Sequence, residues 1–585
     1  MVAFVRLATF DESKKLIFAV FAIWAFITFS FTQYFYPSLQ GGYLGDNDNF
    51  MRLYQVQLFL ETGQWYQQPL PHFNPEDGRV LHWSRLPDLP IAAVIKVSQM
   101  LNVKDAVPIA LSIIPALYGL TYILALTHLT YRIFGFNIAF VAAVITPLSF
   151  AYPKFLPGNI DHHNIQLTLF ALFLAILPLT ASEFLAYKLR TIVATSLLFA
   201  LALLIGLEAM PFYLVVLAAL FFSMKEKSAR AITRFIGLFG IGSAVFGSLG
   251  LVLLEPLDYG FIAHTDVASF PLMVFIAAAG VGCLCSIQFK VFTKLKAVIV
   301  TLLFSLPVLY LVPEVLTGPY YNYPPLLKQF WLNHVQEAIS LKDQVLFGFK
   351  SEEILYTLIC IVTPLLSFFF IRERQHRELL YLYLASLIPV VFWQVRVITY
   401  SSLLGVPLTA VVIYFLYKKI NIPFLRLLPL VIFTPAISFS LYAYITDTPT
   451  STESMVGRKN QVEIVNQVQA LGLKKEKALT SISLGAPLLA YSDNSVVSAP
   501  YHRNINGNLF ATQAWMSEDL DALYQDMQNK GITLVVVDER DFFLNNMAKQ
   551  SSQRSFINKV LADTPPDWLS SISGDEHVTI YRVVR

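Results

Sequence analysis

Two carboxylates and an arginine follow the first long apolar segment, in the stretch GGYLGDNDNFMR that runs from Gly41 to Arg52. Asp46 and Asp48 alternate with asparagines, and Arg52 comes six residues after Asp46. Such carboxylates at a membrane edge are either solvated loop residues or groups that face something needing negative charge. The stretch alone leaves both interpretations open.

A second group of ionisable residues lies in the stretch GNIDHHNIQ, at the start of a later apolar segment. Asp161, His162 and His163 are costly at a membrane boundary unless they are solvated or paired. Asp161 and His163 can converge on one cation in an extended or helix-entry segment, and a carboxylate–imidazole set suits Mn²⁺ or a similar ion. The alternative is a pair of interfacial histidines with Asp161 as a helix N-cap.

Three more charged residues stand in apolar surroundings. Glu337 is the one acid in FWLNHVQEAISL, and Glu208, in the short turn GLEAMP, is a weaker candidate for a cavity. Arg396 lies in FWQVRVITYSS. Because a lipid-facing arginine is expensive, Arg396 either snorkels to the interface or faces a cavity, where a phosphate is its natural partner.

The composition indicates that a bilayer surrounds most of the chain. It has 585 residues, of which 56% are hydrophobic and 14% charged, whereas soluble proteins have about 25% charged residues. The formal charge of +3 is too small to indicate a nucleic-acid partner. Apolar segments long enough to span a membrane predict about thirteen helices. They cover about 15–36, 107–131, 137–152, 164–182, 190–206, 209–223, 234–254, 268–288, 295–313, 353–371, 379–394, 400–416 and 424–446.

The basic residues of the short loops predict the orientation. With the N-terminus in the cytoplasm, six loops on the inner side carry the basic clusters, as the positive-inside rule requires. Those loops contain Arg132, Lys188, Arg190, Lys225, Lys227, Arg230, Arg234, Lys290, Lys294, Lys296, Arg372, Arg374, Arg377, Lys418 and Lys419. The two long loops, 37–106 and 314–352, then lie outside, and so does the C-terminus. Long loops of this kind are usually functional.

We therefore predict a transmembrane domain over 1–446 and an external α/β domain over 447–585. Strand patterns in LTSISL, SVVSA, ITLVVVD and VTIYRVV alternate with helix patterns in VEIVNQVQALG and SEDLDALYQDMQNKG. In the first outer loop, NFMRLYQVQLFLETG predicts a helix that Gly63 ends.

The topology brings the candidate residues to one face of the membrane. A transporter would place its polar residues near the middle of the spans, whereas here the outer loops carry them. This distribution favours an interfacial enzyme that uses a lipid-borne substrate.

In order and spacing, these motifs resemble the GT-C fold glycosyltransferases, most closely the single-subunit oligosaccharyltransferases of bacteria and archaea. The resemblance rests on Asp46 with Arg52, and on Asp161-His162-His163, which is similar to an acidic motif of archaeal members. A looser match in the first loop comes from Pro75, Gly78, Trp83 and Leu86.

The resemblance implies thirteen spans, an external C-terminal domain, and a set of site residues. Asp161 and His163 would bind a divalent metal, Mn²⁺ or Mg²⁺, together with Asp46. Glu337 would be the glutamate of a flexible outer loop, completing the site as a catalytic residue and further metal ligand, and Arg396 would contact the phosphate of the lipid-linked donor.

The chain departs from that family in the outer domain. Oligosaccharyltransferases carry Trp-Trp-Asp-Tyr-Gly, which reads the acceptor sequon, whereas here Ser481, Ile482 and Ser483 replace Trp-Trp-Asp and only Gly485 matches. The polar loop PYHRNINGN, with His502, Arg503 and Asn504 as candidates, is either its replacement or an ordinary surface loop.

The expected function is transfer of a sugar or glycan from a polyprenyl (pyro)phosphate to a protein, lipid or glycan acceptor. Asp46 would orient or deprotonate the acceptor, with Asp48 as an alternative or additional ligand, and Arg52 would hold the loop. The same fold acting on a glycolipid or surface polysaccharide through a monophosphate donor, a flippase of lipid-linked saccharides, and an inactive scaffold are the alternatives. We expect a monomer in the bacterial inner membrane, with its site on the periplasmic side.

Overall fold

The computed structural model describes residues 2–584 apart from 67–69, 78–81, 316, 319, 348–350, 447–451 and 575–576. The looser motif match at Gly78 lies outside the described residues, as does the start of the predicted outer domain at 447.

The first three quarters of the chain are helical. The helices are α1 Val2–Gln40, α2 Asn47–Thr62, α3 Asp88–Met100, α4 Ala106–Phe134, α5 Phe136–Ile145, α6 His163–Ile176, α7 Ala181–Ala186, α8 Leu189–Ile205, α9 Met210–Ser223, α10 Glu226–Leu254, α11 Leu257–Phe261, α12 Phe270–Ser286, α13 Lys294–Leu311, α14 Pro325–Phe330, α15 Leu341–Phe347, α16 Ser351–Leu365, α17 Arg374–Phe392, α18 Ile398–Lys419, α19 Leu428–Phe433 and α20 Pro435–Thr446.

Each apolar segment predicted from the sequence is largely helical, but the lengths vary. Among the described residues, five helices are long and apolar enough to cross a membrane, or six if one bent pair counts as a single span. Shorter apolar helices, such as α6 and α8, complete the bundle. The chain is thus an integral membrane protein, and the count of thirteen crossings stays a prediction.

The last predicted span is not one straight helix. The segment expected over 424–446 divides into a helical stretch ending at Phe433 and α20, which meet at an angle of 91°. Thr434, between them, has φ −94° and ψ 113°. A residue before proline avoids the helical region, so Pro435 explains the break.

The C-terminal quarter contains a five-stranded sheet and six helices among the described residues. The order β2-β1-β3-β5-β4 joins two parallel pairs to two antiparallel pairs. The elements are α21 Thr452–Ala470, β1 Lys477–Leu479, α22 Gly485–Tyr491, β2 Ser495–Val496, α23 Ile505–Met516, α24 Leu520–Asn529, β3 Leu534–Asp538, α25 Phe542–Gln550, α26 Phe556–Leu561, β4 Leu569–Gly574 and β5 Val578–Val583.

Two sequence predictions in this quarter were wrong in detail. The strand expected over LTSISL ends at Leu479, and the next carbonyl, that of Thr480, accepts from the Ser498 hydroxyl (3.2 Å) and Trp515 Nε1 (3.3 Å) rather than from a neighbouring strand. The polar loop PYHRNINGN is only half a loop, since α23 begins at Ile505.

The first outer loop joins the two parts of the molecule. Helix α2 begins at an extended Asp46 and ends at Gly63, whose φ of +65° favours glycine, as the sequence predicted. One hydrophobic core includes α2, α3 and α22. Phe50 of α2 packs edge-on against Tyr491 of α22, with ring centroids 5.8 Å apart. Helix α2, which starts at the candidate carboxylates, therefore packs against α3 of the helical part and α22 of the C-terminal quarter.

Candidate active site

Asp46 and Asp48 occupy the N-terminus of α2. Asp46 is the N-cap, and its Oδ1 accepts hydrogen bonds from the backbone N–H of Asn49 (3.0 Å) and from Asn49 Nδ2 (2.7 Å). Asp48 lies in the first turn, where the helix dipole favours a carboxylate. Burial, and then the charges of Asp161 and Asp46, raise the pKa of Asp48 well above its usual range. The two first-loop acids thus share an electrostatic environment with Asp161.

Four residues, which we call the Asp161 cluster, meet where α6 begins: Asp161, His162, His163 and Glu208. Asp161 Oδ1 lies 2.5 Å from His162 Nδ1, and Asp161 Oδ2 lies 3.2 Å from His163 Nε2. Glu208 closes the group, because its Oε1 contacts His162 Nε2 and its Oε2 lies 3.8 Å from His163 Nδ1. Asp161 and His162 are each only 4% exposed.

A polar relay within the bundle positions Glu208. This residue lies in the 3-10 turn Leu207–Ala209, directly after Gly206. Gln166 Nε2 donates to the Gly206 carbonyl (3.1 Å), and the Tyr400 hydroxyl donates to Gln166 Oε1 (2.9 Å). Helices α6 and α18 therefore fix the turn that presents the carboxylate.

The cluster is strongly polarised. Burial opposes ionisation of Asp161, but the charges of His162 and His163 outweigh it and hold the pKa of this carboxyl well below its usual range. Burial also opposes charge on His162, yet Asp161 and Glu208 raise its pKa to about 10. Two ionised carboxylates therefore flank one imidazolium in a poorly hydrated place.

Arg396 and Glu337 border this cluster. Arg396 Nη2 lies 3.9 Å from Glu208 Oε2, and its Nε donates to Gln394 Oε1 (2.9 Å). Glu337 is exposed, in the turn Gln336–Ala338. The backbone N–H of Val395, next to Arg396, donates to the Ile339 carbonyl at 2.8 Å. The second long loop therefore reaches the arginine without placing the Glu337 carboxylate in the Asp161 cluster.

Lys154 is a charged residue that sequence reasoning missed. It lies in the 3-10 turn Tyr152–Phe155. Burial opposes its charge, but Asp46, Glu337, Asp161 and Asp48 together raise the pKa of Lys154. The available signal was its position, because a lysine in a predicted outer loop goes against the positive-inside pattern.

The Asp161 cluster fits a divalent cation. Asp161, His162 and His163 each offer a ligand atom, and these atoms lie within 4.8 Å of one another. Among the described residues, the buried Asp161 Oδ2 has no partner in hydrogen-bond geometry, and its contact with His163 Nε2 is an ion pair at 3.2 Å. Buried polar atoms normally have hydrogen-bond partners, so this oxygen and the His163 nitrogen are the candidate metal ligands. The same three-residue group does not include Asp46, Asp48 or Glu337.

A second group, which we call the Asp266 cluster, consists of His82, Asp266, His502 and Arg503. Arg503 holds Asp266 in a two-pronged pair, with Nε–Oδ2 at 2.7 Å and Nη2–Oδ1 at 2.6 Å. His502 Nε2 lies 2.8 Å from the same Oδ2. Burial opposes ionisation of Asp266, but these bonds hold its pKa well below the usual range. The His82 and His502 rings lie 4.7 Å apart.

Two further predicted residues make internal contacts. Arg52 is fully buried; its Nη1 donates to Asp88 Oδ1 (2.9 Å), and the guanidinium lies 4.6 Å from the Trp83 ring. Asn504 is also buried, and its Nδ2 donates to the Val497 carbonyl (2.9 Å). Arg52 therefore braces the first loop, and Asn504 braces the turn that precedes α23.

The Ser481–Ser483 stretch is committed to contacts within the C-terminal quarter. The Ser483 hydroxyl donates to Asp541 Oδ2, and Ser481 Oγ lies 3.0 Å from Ser483 Oγ. Ile482 packs with Tyr323 and Trp331 of the second long loop. Gly485 begins α22 where a Cβ would come within 1.9 Å of the Ser498 carbonyl oxygen, so this position requires glycine.

Solved structures share this architecture. The chain resembles the oligosaccharyltransferase AglB of Archaeoglobus fulgidus in complex with an inhibitory peptide and a dolichol-phosphate, with 13% identity and a TM-score of 0.60 over 89% of this chain and 68% of that one. The chain therefore shares the GT-C fold of that enzyme. The same archaeal enzyme tethered to an acceptor peptide gives 13% identity and a TM-score of 0.61 over 93% and 70% of the two chains.

A further GT-C structure of that enzyme, in complex with Zn and sulfate, matches at 14% identity and a TM-score of 0.53 over 93% of this chain and 70% of that one. No protein-family model matches the sequence, and no curated protein matches it significantly. At these identities the likeness shows the GT-C fold. The membrane fold predicted from the motifs is confirmed.

Proposed function

We propose that the protein is an integral membrane glycosyltransferase that moves a sugar or glycan from a polyprenyl (pyro)phosphate donor to an acceptor on the extracytoplasmic face. The observation that carries this proposal is the meeting of Asp161, His163 and Glu208 with Arg396 at one end of a GT-C helix bundle. The Zn-and-sulfate and dolichol-phosphate complexes of the structural neighbour support the same combination of cation and phosphate.

In this proposal a divalent metal, Mn²⁺ or Mg²⁺, is held by Asp161 and His163, with Asp46 and Asp48 facing it from the first loop. When bound, it supplies Lewis-acid stabilisation of the leaving phosphate. Glu208 fixes both imidazoles, and a mixed carboxylate–imidazole donor set suits Mn²⁺ or a similar divalent ion. Glu337 enters the site when its exposed loop closes over a donor, a gating role.

Arg396 binds the donor phosphate. Its guanidinium is only weakly engaged by Glu208 at 3.9 Å, so it retains donors for a phosphate, which it can bind in a two-pronged geometry. Asp46 orients or deprotonates the acceptor nucleophile, because it lies at the loop edge of the cluster rather than at its centre. Asp48, with its raised pKa, is the alternative base.

The acceptor differs from a sequon peptide in this proposal. Ser481 and Ser483 bond to each other and to Asp541, and the second long loop covers Ile482. These contacts favour a glycolipid, a surface polysaccharide or another glycan as the acceptor. The direct comparison is mass spectrometry of surface glycans, glycolipids and glycoproteins from cells with and without the gene.

The test of catalysis uses full-length protein in proteoliposomes with radiolabelled polyprenyl monophosphate and pyrophosphate sugars. We expect release of free polyprenyl phosphate or pyrophosphate that stops with EDTA and returns with Mn²⁺ or Mg²⁺. Movement of labelled lipid between leaflets without its cleavage would identify a flippase instead. Absence of both would identify an inactive scaffold.

A further inference from the structure

One buried carboxamide connects the two halves of the candidate site. Asn49 is fully buried, and its Oδ1 accepts hydrogen bonds from the backbone N–H groups of Ile160 (2.7 Å) and Asp161 (2.8 Å). Its Nδ2 donates to Asp46 Oδ1 at 2.7 Å. A single side chain thus bonds the first-loop carboxylate and the backbone that carries Asp161.

The packing around this carboxamide is close. A Cβ on Gly45 would lie 2.5 Å from Asn159 Oδ1 and 3.0 Å from Asn49 Nδ2. The lack of a side chain at Gly45 therefore lets the two loops approach. Asp161 Oδ1 also accepts from the His162 backbone N–H at 2.6 Å, so a shift of the Asp161 backbone moves the carboxylate with it.

The chemistry of the contact selects asparagine. It needs an acceptor towards the 160–161 backbone and a donor towards Asp46, and a carboxamide supplies both at this length. Aspartate would keep the acceptor but would set a second carboxylate against Asp46. Alanine would leave the two buried N–H groups of Ile160 and Asp161 without their partner, which is unfavourable.

We propose that Asn49 is a positioning residue that sets the separation of Asp46 from Asp161, and thereby the spacing of the groups that bind the cation and the acceptor. This role rests on the proposed function. It assigns to the last residue of the DNDN stretch a task distinct from that of the two acids that precede it.

The chain offers a matched control. Asn164 is also buried, at 3% exposure, and its Nδ2 donates to the Asn159 carbonyl at 2.8 Å. Its Oδ1 accepts from the backbone N–H of Ile165 at 2.6 Å. Asn164 therefore holds the same loop from its other side, and these bonds do not involve Asp46.

The experiment compares Asn49→Ala, Asn49→Asp and Asn164→Ala in the full chain by three measurements. Hydrogen exchange follows the amides of 158–163 and 45–49, electron paramagnetic resonance follows Mn²⁺ binding, and the proteoliposome assay follows turnover. We expect Asn49→Ala to raise exchange in both segments and to weaken Mn²⁺ binding at least tenfold. Asn164→Ala should loosen only 158–163 and change Mn²⁺ affinity less than threefold.

Asn49→Asp separates the bond to Asp46 from the bonds to the backbone of 160–161. It should keep the 160–161 amides protected, because the acceptor is retained, yet lower turnover at saturating Mn²⁺ at least tenfold. Equal losses in Asn49→Ala and Asn164→Ala, or an Asn49→Asp variant with wild-type turnover, would overturn the proposal. If the wild type neither binds Mn²⁺ nor cleaves donor, the proposed function fails. The hydrogen-exchange data then test the Asn49 bridge independently of metal binding and turnover. Unchanged exchange of the amides of 45–49 in Asn49→Ala would refute the bridge.

Discussion

The Asp161 cluster and the Asp266 cluster use the same residue types for different ends. Each contains two histidines and at least one carboxylate, and an arginine belongs to the Asp266 cluster and borders the Asp161 cluster. In the Asp266 cluster, Arg503 takes both carboxylate oxygens at 2.6–2.7 Å, and His502 shares one of them. Beside the Asp161 cluster, Arg396 stands 3.9 Å from Glu208, and among the described residues Asp161 Oδ2 has no partner in hydrogen-bond geometry.

The difference is one of charge balance. The Asp266 carboxylate is neutralised by a guanidinium, so a cation placed there would meet Arg503 at once. In the Asp161 cluster two carboxylates face two imidazoles, and Asp48 adds a third acid nearby. A similar set of side chains thus forms a clamp in one place and the proposed cation site in the other, and the position of the arginine distinguishes the two.

The two clusters are neighbours. Trp83 lies between them, with its ring 5.9 Å from that of His162, and it directly follows His82. The Tyr323 hydroxyl of the second long loop donates to the His502 carbonyl at 3.0 Å. The clamp therefore ties the C-terminal quarter to the loop that carries Asp266, and Tyr323 adds the second long loop beside the candidate active site.

The sharpest way to break this comparison is to remove the Asp161 carboxylate. Asp161→Ala should abolish Mn²⁺ binding and lower turnover by roughly 10³-fold or more, because the first ligand and the partner of both imidazoles are lost. Mn²⁺ titration and the proteoliposome assay measure both effects. Asp266→Asn is the control, and it should keep the Mn²⁺ affinity within about threefold. Loss of Mn²⁺ binding in Asp266→Asn alone would place the cation in the other cluster.

Arg396 provides the next largest effect. Arg396→Ala should lower turnover by about 10²-fold through weaker stabilisation of the leaving phosphate, while Mn²⁺ binding stays close to that of the wild type. Arg396→Lys should recover less than a tenth of the loss, because lysine cannot reproduce the guanidinium fork. A full recovery in the lysine variant would mean that only a point charge is needed.

Asp266→Asn should act on stability instead. It leaves Arg503 without its charged partner, and since the pair is 9% and 19% exposed, we expect a loss of roughly 2–4 kcal/mol, seen as an unfolding midpoint several degrees lower. Scanning fluorimetry in detergent measures the shift. Asp258→Asn, at an exposed position of α11, is the matched control. An unchanged midpoint in Asp266→Asn would show that the clamp adds nothing to stability.

The sequence predicted which candidate residues lie close together better than it predicted the contacts among them. Asp161, His163 and Arg396 stand out in the sequence because ionisable residues at a membrane boundary are expensive and therefore informative. Glu208 looked weaker than Glu337, yet it contacts both histidines, because the turn that carries it is folded against α6 by Gln166. No local pattern predicts that contact.

Residues that join distant segments could not be recognised either, because no local sequence pattern predicts their contacts. Asp266 is one acid in an ordinary outer loop until the C-terminal quarter brings Arg503 to it. The helix order and the break at Gly63 follow from apolar periodicity and glycine chemistry. The bend before Pro435 was readable from the proline, but the length and hydropathy of 424–446 favoured a single span.

The smallest effect we predict concerns Lys154, the cation that sits among four carboxylates. Asp46, Glu337, Asp161 and Asp48 raise its pKa, so it carries a full positive charge close to the cation site. Lys154→Gln removes that charge and should tighten Mn²⁺ binding by about threefold to tenfold, as expected for charges several ångströms apart at an intermediate dielectric. The gain should shrink as salt rises. Lys188→Gln, in a loop predicted on the opposite face, should leave Mn²⁺ affinity unchanged. Weaker Mn²⁺ binding in Lys154→Gln would contradict this prediction. It would mean that Lys154 holds the carboxylates in place, and that without it their mutual repulsion outweighs their attraction for the cation.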